Sequence, residues 1–367
     1  MIRRFVPKSV EELAEWYMHY ISPLSLIAGV VADNLILLRR VDLWTSNLLL
    51  FFYLTLAAAC ITLINLIQAG RLRHPFALTM LPLIPVFAQF AFGGLFSAYV
   101  SLYSRSAAYV TSWIFVVLVG ALLLGNERFV RFYMRFSFQI SIYFTVLFSF
   151  LIFFLPVVFH QIGPSMFVFA GVASLIIITF FLQILYRLVP DIVARERTAL
   201  ARSIAVIFVV FNVLYFTNSI PPLPLSLKDA GVYHSLVRQS DGSYRLTYEP
   251  LPWYDVFFRY NTDVHLAPGE TLYVWSAVFA PSGLSTTIFH EWQHYDDASG
   301  AWLTMSTISF PISGGRDGGF RGYTSKNDLA AGKWRIDVIT QYGQIVGRVS
   351  FTVIPASQPI QLSETVQ

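Results

Sequence analysis

His290, Glu291, Trp292, Gln293 and His294 spell H-E-x-x-H, the pattern in which two histidines bind zinc and the glutamate activates a water molecule. That chemistry needs a helix, because only there do side chains i and i+4 converge on one point. The flanks point to a strand instead. Residues 284–289 (LSTTIF) alternate and are rich in β-branched types, and 295–300 (YDDASG) read as a turn. Along a strand, four residues cover about 13 Å at about 3.3 Å each. Two imidazoles that far apart cannot share one zinc at about 2.0–2.1 Å from each. No third ligand is marked, and His234, His265 and several acids stay open as further possibilities. His290 and His294 are thus the metal candidates to test, against an expectation of no metal and no cofactor.

Recognition is the other chemistry in reach. Arginine and tryptophan are enriched where proteins hold partners or sugars, through bidentate hydrogen bonds and stacking. His290, Trp292, Arg316, Arg321 and Lys326 form a candidate binding set of this kind. The competing reading is a solvated, charged strand edge that resists aggregation. Residues 244–260 (YRLTYEPLPWYDVFFRY) add a dense aromatic run that suits core strands, or else a surface resting on a membrane.

Further along, Trp334, Ile336 and Val338 share one strand face, Gly343 sits in a turn, and Val349, Phe351 and Val353 return that face. That hairpin explains itself as packing. Together with the H-x-W pair (His290, Trp292), the stretch 321–326 (RGYTSK), and Gly332 and Gly347, it resembles the bacterial domain-of-unknown-function family 2914 over about residues 250–355. The N-terminal half similarly resembles an uncharacterised multi-span region that precedes that domain in proteobacteria. The resemblance implies an architecture and supplies no activity.

The elements that must carry these residues change character at about residue 220. A hydrophobic fraction of 56% with 13% charged residues lies well outside the soluble-domain range of about 45–50% and 25%. Seven apolar stretches account for the excess, at about 22–38, 47–67, 76–98, 107–125, 138–160, 164–186 and 203–220. Each is close to the roughly 20 residues that a helix needs to cross a bilayer. Pro82, Pro85 and Pro156 are expected to kink their helices. Ahead of them, residues 1–21 read as an amphipathic segment and not as a cleavable signal peptide. Residues 185–203, basic and amphipathic, read as a surface helix between the last two spans. Asp33 and His160 are the candidate functional polar groups of the spans. Asn65, Gln68, Gln89, Gln139, Gln183 and Asn212 are scattered singly, one or two per helix, as interhelical hydrogen-bonding residues are.

Beyond a proline-rich linker at 221–230, short alternating segments separated by turn signals predict an all-β antiparallel sandwich of immunoglobulin-like kind over 231–356, with a disordered tail at 357–367. The positive charge belongs to the first 220 residues, with 15 Lys and Arg against 8 Asp and Glu, so the basic balance gives no ground for a nucleic-acid partner. Placing the basic loops in the cytoplasm puts the N-terminus inside and the β half in the periplasm of a bacterial inner membrane. The single cysteine, Cys60, excludes an internal disulfide and leaves the β half without a thiol nucleophile. The partners expected are the lipid bilayer and an envelope protein or glycan bound by the β half. The alternatives are a membrane-embedded enzyme or handler of lipid or lipid-linked glycan, for which His160 and Gln161 are the first residues to examine, and a zinc hydrolase acting through H-E-W-Q-H.

Overall fold

The computed structural model describes residues 12, 43–106, 109–126, 132, 134–240, 242–251, 260–356 and 360–366. The chain divides into two compact units with their main boundary between Ile220 and Pro221. The first is helical. A segment without water must satisfy its own N–H and C=O groups, so long uncharged runs become helices. These are α1 (Trp44–Gln68), α2 (Pro75–Met80), α3 (Ile84–Ser106), α4 (Tyr109–Asn126), α5 (Phe136–Phe159), α6 (Pro164–Leu188) and α7 (Pro190–Phe216). Five stretches among the described residues are long and apolar enough to cross a membrane: Trp44–Gln68, Pro75–Tyr103, Phe136–Phe159, Pro164–Leu188 and Pro190–Phe216. The stretch Trp113–Asn126 is apolar and shorter. The expected span at 22–38, and Asp33 within it, lie outside the described residues.

Two details differ from the sequence reading. The surface helix and the span expected after it are one continuous helix, α7, whose charged residues all fall in its first half. Pro82 sits in a 3-10 turn (Leu81–Leu83) between α2 and α3, so the break there is a change of helix type. Helix α5 is the hub of the bundle. Its Phe148 ring stacks on Phe208 and Phe211 of α7 at 5.8 and 4.7 Å and tilts against Phe167 of α6. Asn65 of α1 donates to Gln139 of α5 at 2.6 Å, an interhelical bond of the expected kind, while Asn212 turns back to Phe208 of its own helix.

The second unit is β-rich, with eleven strands among the described residues: β1 (Ser226–Tyr233), β2 (Ser235–Arg238), β3 (Tyr244–Tyr248), β4 (Asp263–Leu266), β5 (Thr271–Phe279), β6 (Ser285–Asp296), β7 (Ala301–Ser313), β8 (Phe320–Asn327), β9 (Gly332–Thr340), β10 (Ile345–Pro355) and β11 (Ser363–Val366). They form three sheets, ordered β1-β5-β8, β4-β10-β9-β6-β7 and β11-β3-β2. The first two face each other across a core of Val232, Leu272, Val274, Trp292, Trp334, Ile336, Val349, Phe351 and Val353. The third covers the other face of β5 through Tyr233, Tyr244, Leu246, Trp275 and Ala277.

The antiparallel expectation fails at one pair: β10 runs parallel to β4, with Val353 opposite Val264. Those strands are far apart in sequence, so no hairpin turn dictates their direction. Strand β1 starts inside the stretch read as linker, and Ser363–Val366 of the expected tail is paired with β3. A short polar strand carries no hydrophobic pattern to announce itself.

The turn expected at 295–300 is built as its residues require. Asp296 accepts from the Ala298 and Ser299 amides, and Gly300 takes a φ of +65°. The strand that follows, β7, is an edge strand of thirteen residues without one ionisable side chain. A bulge leaves Met305 unopposed, because Trp292 pairs with Ser306 and Gln293 with Thr304. Where β7 meets β8, the Phe310 ring lies against the backbone of Gly322, where a Cβ would overlap it. Gly322→Ala is therefore expected to lower the stability of the β unit by about 1–3 kcal/mol, as overpacking does, measured by denaturant unfolding of the whole protein.

Candidate functional site

The H-E-W-Q-H residues lie in β6, so the helical zinc geometry is not formed. His290 is fully buried (0% exposed), with its edge against the Phe310 ring. Its Nε2 lies 2.8 Å from Ser276 Oγ and its Nδ1 lies 2.9 Å from Thr324 Oγ1. Trp292, also 0% exposed, donates its indole N–H to the same Thr324 oxygen at 3.0 Å. A neutral imidazole satisfies all of these bonds: Trp292 donates to Thr324, Thr324 to His290 Nδ1, and His290 Nε2–H to Ser276. Neither ring nitrogen is left for a metal or a ligand. His290 and Trp292 are thus an interior polar knot joining two sheets, and the expectation that they face outward is corrected. Their inward direction follows from alternation with Ile288 on a strand buried between β7 and β9. His294 reaches the Ala331 carbonyl at 3.3 Å and lies 4.7 Å from the Trp334 ring.

The three basic candidates do not assemble either. Arg316 is exposed in the loop before β8 and stacks over Phe320. Arg321 and Lys326, five residues apart on β8, occupy opposite faces of the strand, and Lys326 donates to Ser306 at 3.3 Å. In the helical unit, His160 is the exposed cap residue just after α5, where its left-handed backbone (φ 53°) ends the helix. A cation–aromatic cluster does exist, on other residues. On the outward face of the five-stranded sheet, the Arg335 guanidinium lies 4.4 Å from the Trp302 ring, and the Lys333 ammonium lies 5.6 Å from Tyr295. The bulge at Met305 turns Trp302 to this face, a parity change that simple alternation does not foresee.

The strongest candidate site is one that no sequence motif marks. A pocket of about 420 Å³ in the β unit is lined by Asp229, Tyr233, His234, Tyr248, Glu249, Tyr260, Asn261 and Thr365, among others. At its wall, His234 is clamped between two carboxylates, with Nδ1 2.7 Å from Glu270 and Nε2 3.0 Å from Glu249. Glu249 also accepts from the His265 amide at 2.6 Å and meets His265 Nδ1 at 2.8 Å. Glu270 is tied back by the Ala267 amide at 2.9 Å. Four elements supply these groups: the β1–β2 corner, the end of β3, β4 and the start of β5. The sequence separations of 15 and 36 residues hide the cluster from sequence, although His234 and His265 stand out there singly.

Burial opposes charge on His234, but the hydrogen bonds and charges of Glu249 and Glu270 outweigh it and raise the pKa. Glu249 shows the mirror balance: burial raises its pKa, and the bonds from His234 and His265 bring it below the ordinary value. Tyr233 is pushed up to about 12 by burial, with Asp229 and Tyr248 adding to it. The pocket therefore presents carboxylates and an imidazole whose proton they help to hold, beside the hydroxyls of three tyrosines. Its charged atoms pair with one another, and among the described residues no group of three or more such side chains is arranged to hold a metal ion.

Fold and site define a class: a protein with several membrane-capable helices followed by a β-rich region that carries a polar pocket. Residues 285–353 match the family described as "Protein of unknown function (DUF2914)", which places that family's domain in the C-terminal region and covers β6 through most of β10. No curated protein matches the chain. Among solved structures, a Pseudomonas fluorescens alkylpurine DNA glycosylase, AlkC, bound to DNA containing an abasic site analog, aligns over 77% of this chain and 83% of its own at 11% identity. The TM-score of 0.22 is too low for that alignment to carry any argument.

Two pH dependences follow. Burial pushes His290 down to about 3, whereas the unfolded chain takes up that proton near pH 6.5. Its contribution is full above about pH 6.5 and is lost as the pH falls towards 3, by up to about 5 kcal/mol. Denaturant midpoints between pH 7 and 4 should show this slope, and His290→Leu should flatten it. For His234 the sign is opposite: its stabilisation is present below about pH 6.5 and is lost as the pH rises through its raised native value. Glu270→Gln should bring the His234 titration, followed by NMR, down towards the ordinary histidine value.

Proposed function

We propose that this chain is a non-enzymatic protein of the bacterial inner membrane whose extracytoplasmic β unit binds an envelope glycan in the pocket beside His234 and Glu249. The observation that carries this reading is the pocket itself. Its volume falls within the roughly 300–1,000 Å³ of small-molecule sites, and several polar groups converge there around a perturbed histidine. Tyr233, Tyr248 and Tyr260 offer ring faces and hydroxyls, while Asp229, Glu249 and Asn261 offer acceptors and an amide donor. Polyhydroxylated rings ask for that combination of stacking and hydrogen bonding.

The placement rests on charge. With the N-terminus cytoplasmic and seven spans, twelve Lys and Arg residues of the first 220 fall inside and three outside. The two facing sheets support a sandwich reading for the β unit. A second reading, in which the β unit docks a protein partner, is favoured by the Arg335–Trp302 and Lys333–Tyr295 stacks on the outward sheet face.

Titration of the full-length protein with soluble cell-wall and surface-polysaccharide fragments separates these readings. Asn261→Ala and Asp229→Asn are expected to weaken glycan binding about tenfold or more, with thermal unfolding nearly unchanged. Trp302→Ala should leave it intact. A glycan affinity that follows Trp302 and Arg335, and ignores Asn261, would move the function to the sheet face.

A further inference from the structure

The helical unit holds a second cavity, of about 530 Å³, at one end of its bundle. Gln68 and Ala69 at the end of α1, Arg135 to Ser137 at the start of α5, and Val189 to Ile192 at the start of α7 surround it, with Arg71, Arg195 and Glu196. We propose that this cavity binds a phosphate group, supplied by the headgroup of an anionic phospholipid.

Three features converge on that chemistry. First, Arg71, Arg135 and Arg195 all line the cavity and are all exposed to it or to solvent. Among the described residues, Arg71 and Arg195 make no ion pair or side-chain hydrogen bond, although Asp191 and Glu196 line the same cavity. The guanidinium donors are therefore unspent, and arginine forks match phosphate oxygens in pairs. Second, the first turns of two long helices, α5 and α7, lie in the wall, and helix N-termini add positive partial charge, which at α7 is partly offset by Asp191 while Pro190 offers no N–H. The opposing end, that of α1, is already neutralised. Its last carbonyls accept from the amides of Ala69, Gly70 and Arg71 at 2.9, 2.9 and 3.0 Å, with Gly70 at a φ of +65°. Third, the cavity lies in the charged end of the helical unit, about two turns before the uncharged stretch of α7 begins. The charged residues of α7 end at Arg202, and the rest of that helix is uncharged, with Val206, Val209, Val213 and Phe216 exposed. Basic pockets between membrane helices at such a boundary are where anionic headgroups are held.

The test uses the full-length protein in phosphatidylethanolamine nanodiscs, with and without added cardiolipin, and native mass spectrometry after release into detergent. The wild type is expected to retain cardiolipin in preference to phosphatidylethanolamine, and the triple change Arg71→Gln, Arg135→Gln, Arg195→Gln to reduce retention about tenfold or more. Arg187→Gln, at the same end and outside the cavity wall, should leave it unchanged. If the triple variant fails to fold, Arg195→Lys alone serves, because it keeps the charge and loses the fork. A parallel arm titrates inorganic phosphate in neutral detergent. Phosphate binding that depends on Arg195, with no preference for cardiolipin, keeps the site and overturns its lipid source. Neither ligand bound, or equal loss in Arg187→Gln, overturns the site itself. None of these readouts depends on glycan binding by the β unit.

Discussion

Strand β5 has no solvent face, and the arrangement of the β unit depends on that. Leu272, Val274 and Ser276 point into the core shared with the five-stranded sheet, while Trp275 and Ala277 are buried beneath β2 and β3. A polar side chain on a strand covered on both sides has no water to turn to, so a partner must come from the protein; the Trp275 indole N–H is left without one. Ser276 is the one polar side chain that β5 sends into the core, and it meets His290. The imidazole then needs a partner on its other nitrogen, which Thr324 supplies from β8, and Thr324 in turn takes the indole N–H of Trp292. One buried hydroxyl thus requires three further polar groups from two other strands, in fixed register. The polar knot specifies how the sheets face each other, which apolar packing alone leaves loose.

The same strand begins beside the pocket. Glu270 immediately precedes β5, and its carboxylate holds one side of His234. Two histidines in one small unit therefore have opposite electrical roles. His290, among hydroxyls and rings, is held neutral by burial; His234, between carboxylates, has its affinity for a proton raised. Both are buried, so burial does not separate them. The difference lies in what charge is fixed nearby.

Much of this was legible from residue order where the deciding physics is local. Long uncharged runs declare helices, and β-branched alternation before His290 was enough to choose a strand over a zinc helix. The hairpin of β9 and β10 follows from its face pattern and from Gly343 in the turn. Legibility ends where the deciding contact is distant. Nothing near Asp263 announces a parallel partner at Thr352. The H-x-W pair reads from sequence as a binding surface because the hydrogen-bond partners that bury His290 lie 14 and 34 residues away. The two carboxylates around His234 come from two separate connections, after β3 and before β5, and no spacing rule links them. Residues 185–203 were split from the span after them because charge density drops sharply at Ser203, yet helix propensity runs through that boundary unbroken.

The bulge at Met305 has a consequence beyond the direction of Trp302. An uncharged edge strand thirteen residues long offers a template along which another chain could zip. The bulge shears that template into two runs that no single straight strand can follow, and Pro311 removes a donor from the longer one. Backbone shape thus interrupts at this border what lysine interrupts on other edge strands, and the sheet face beside it carries Trp302 and Tyr295.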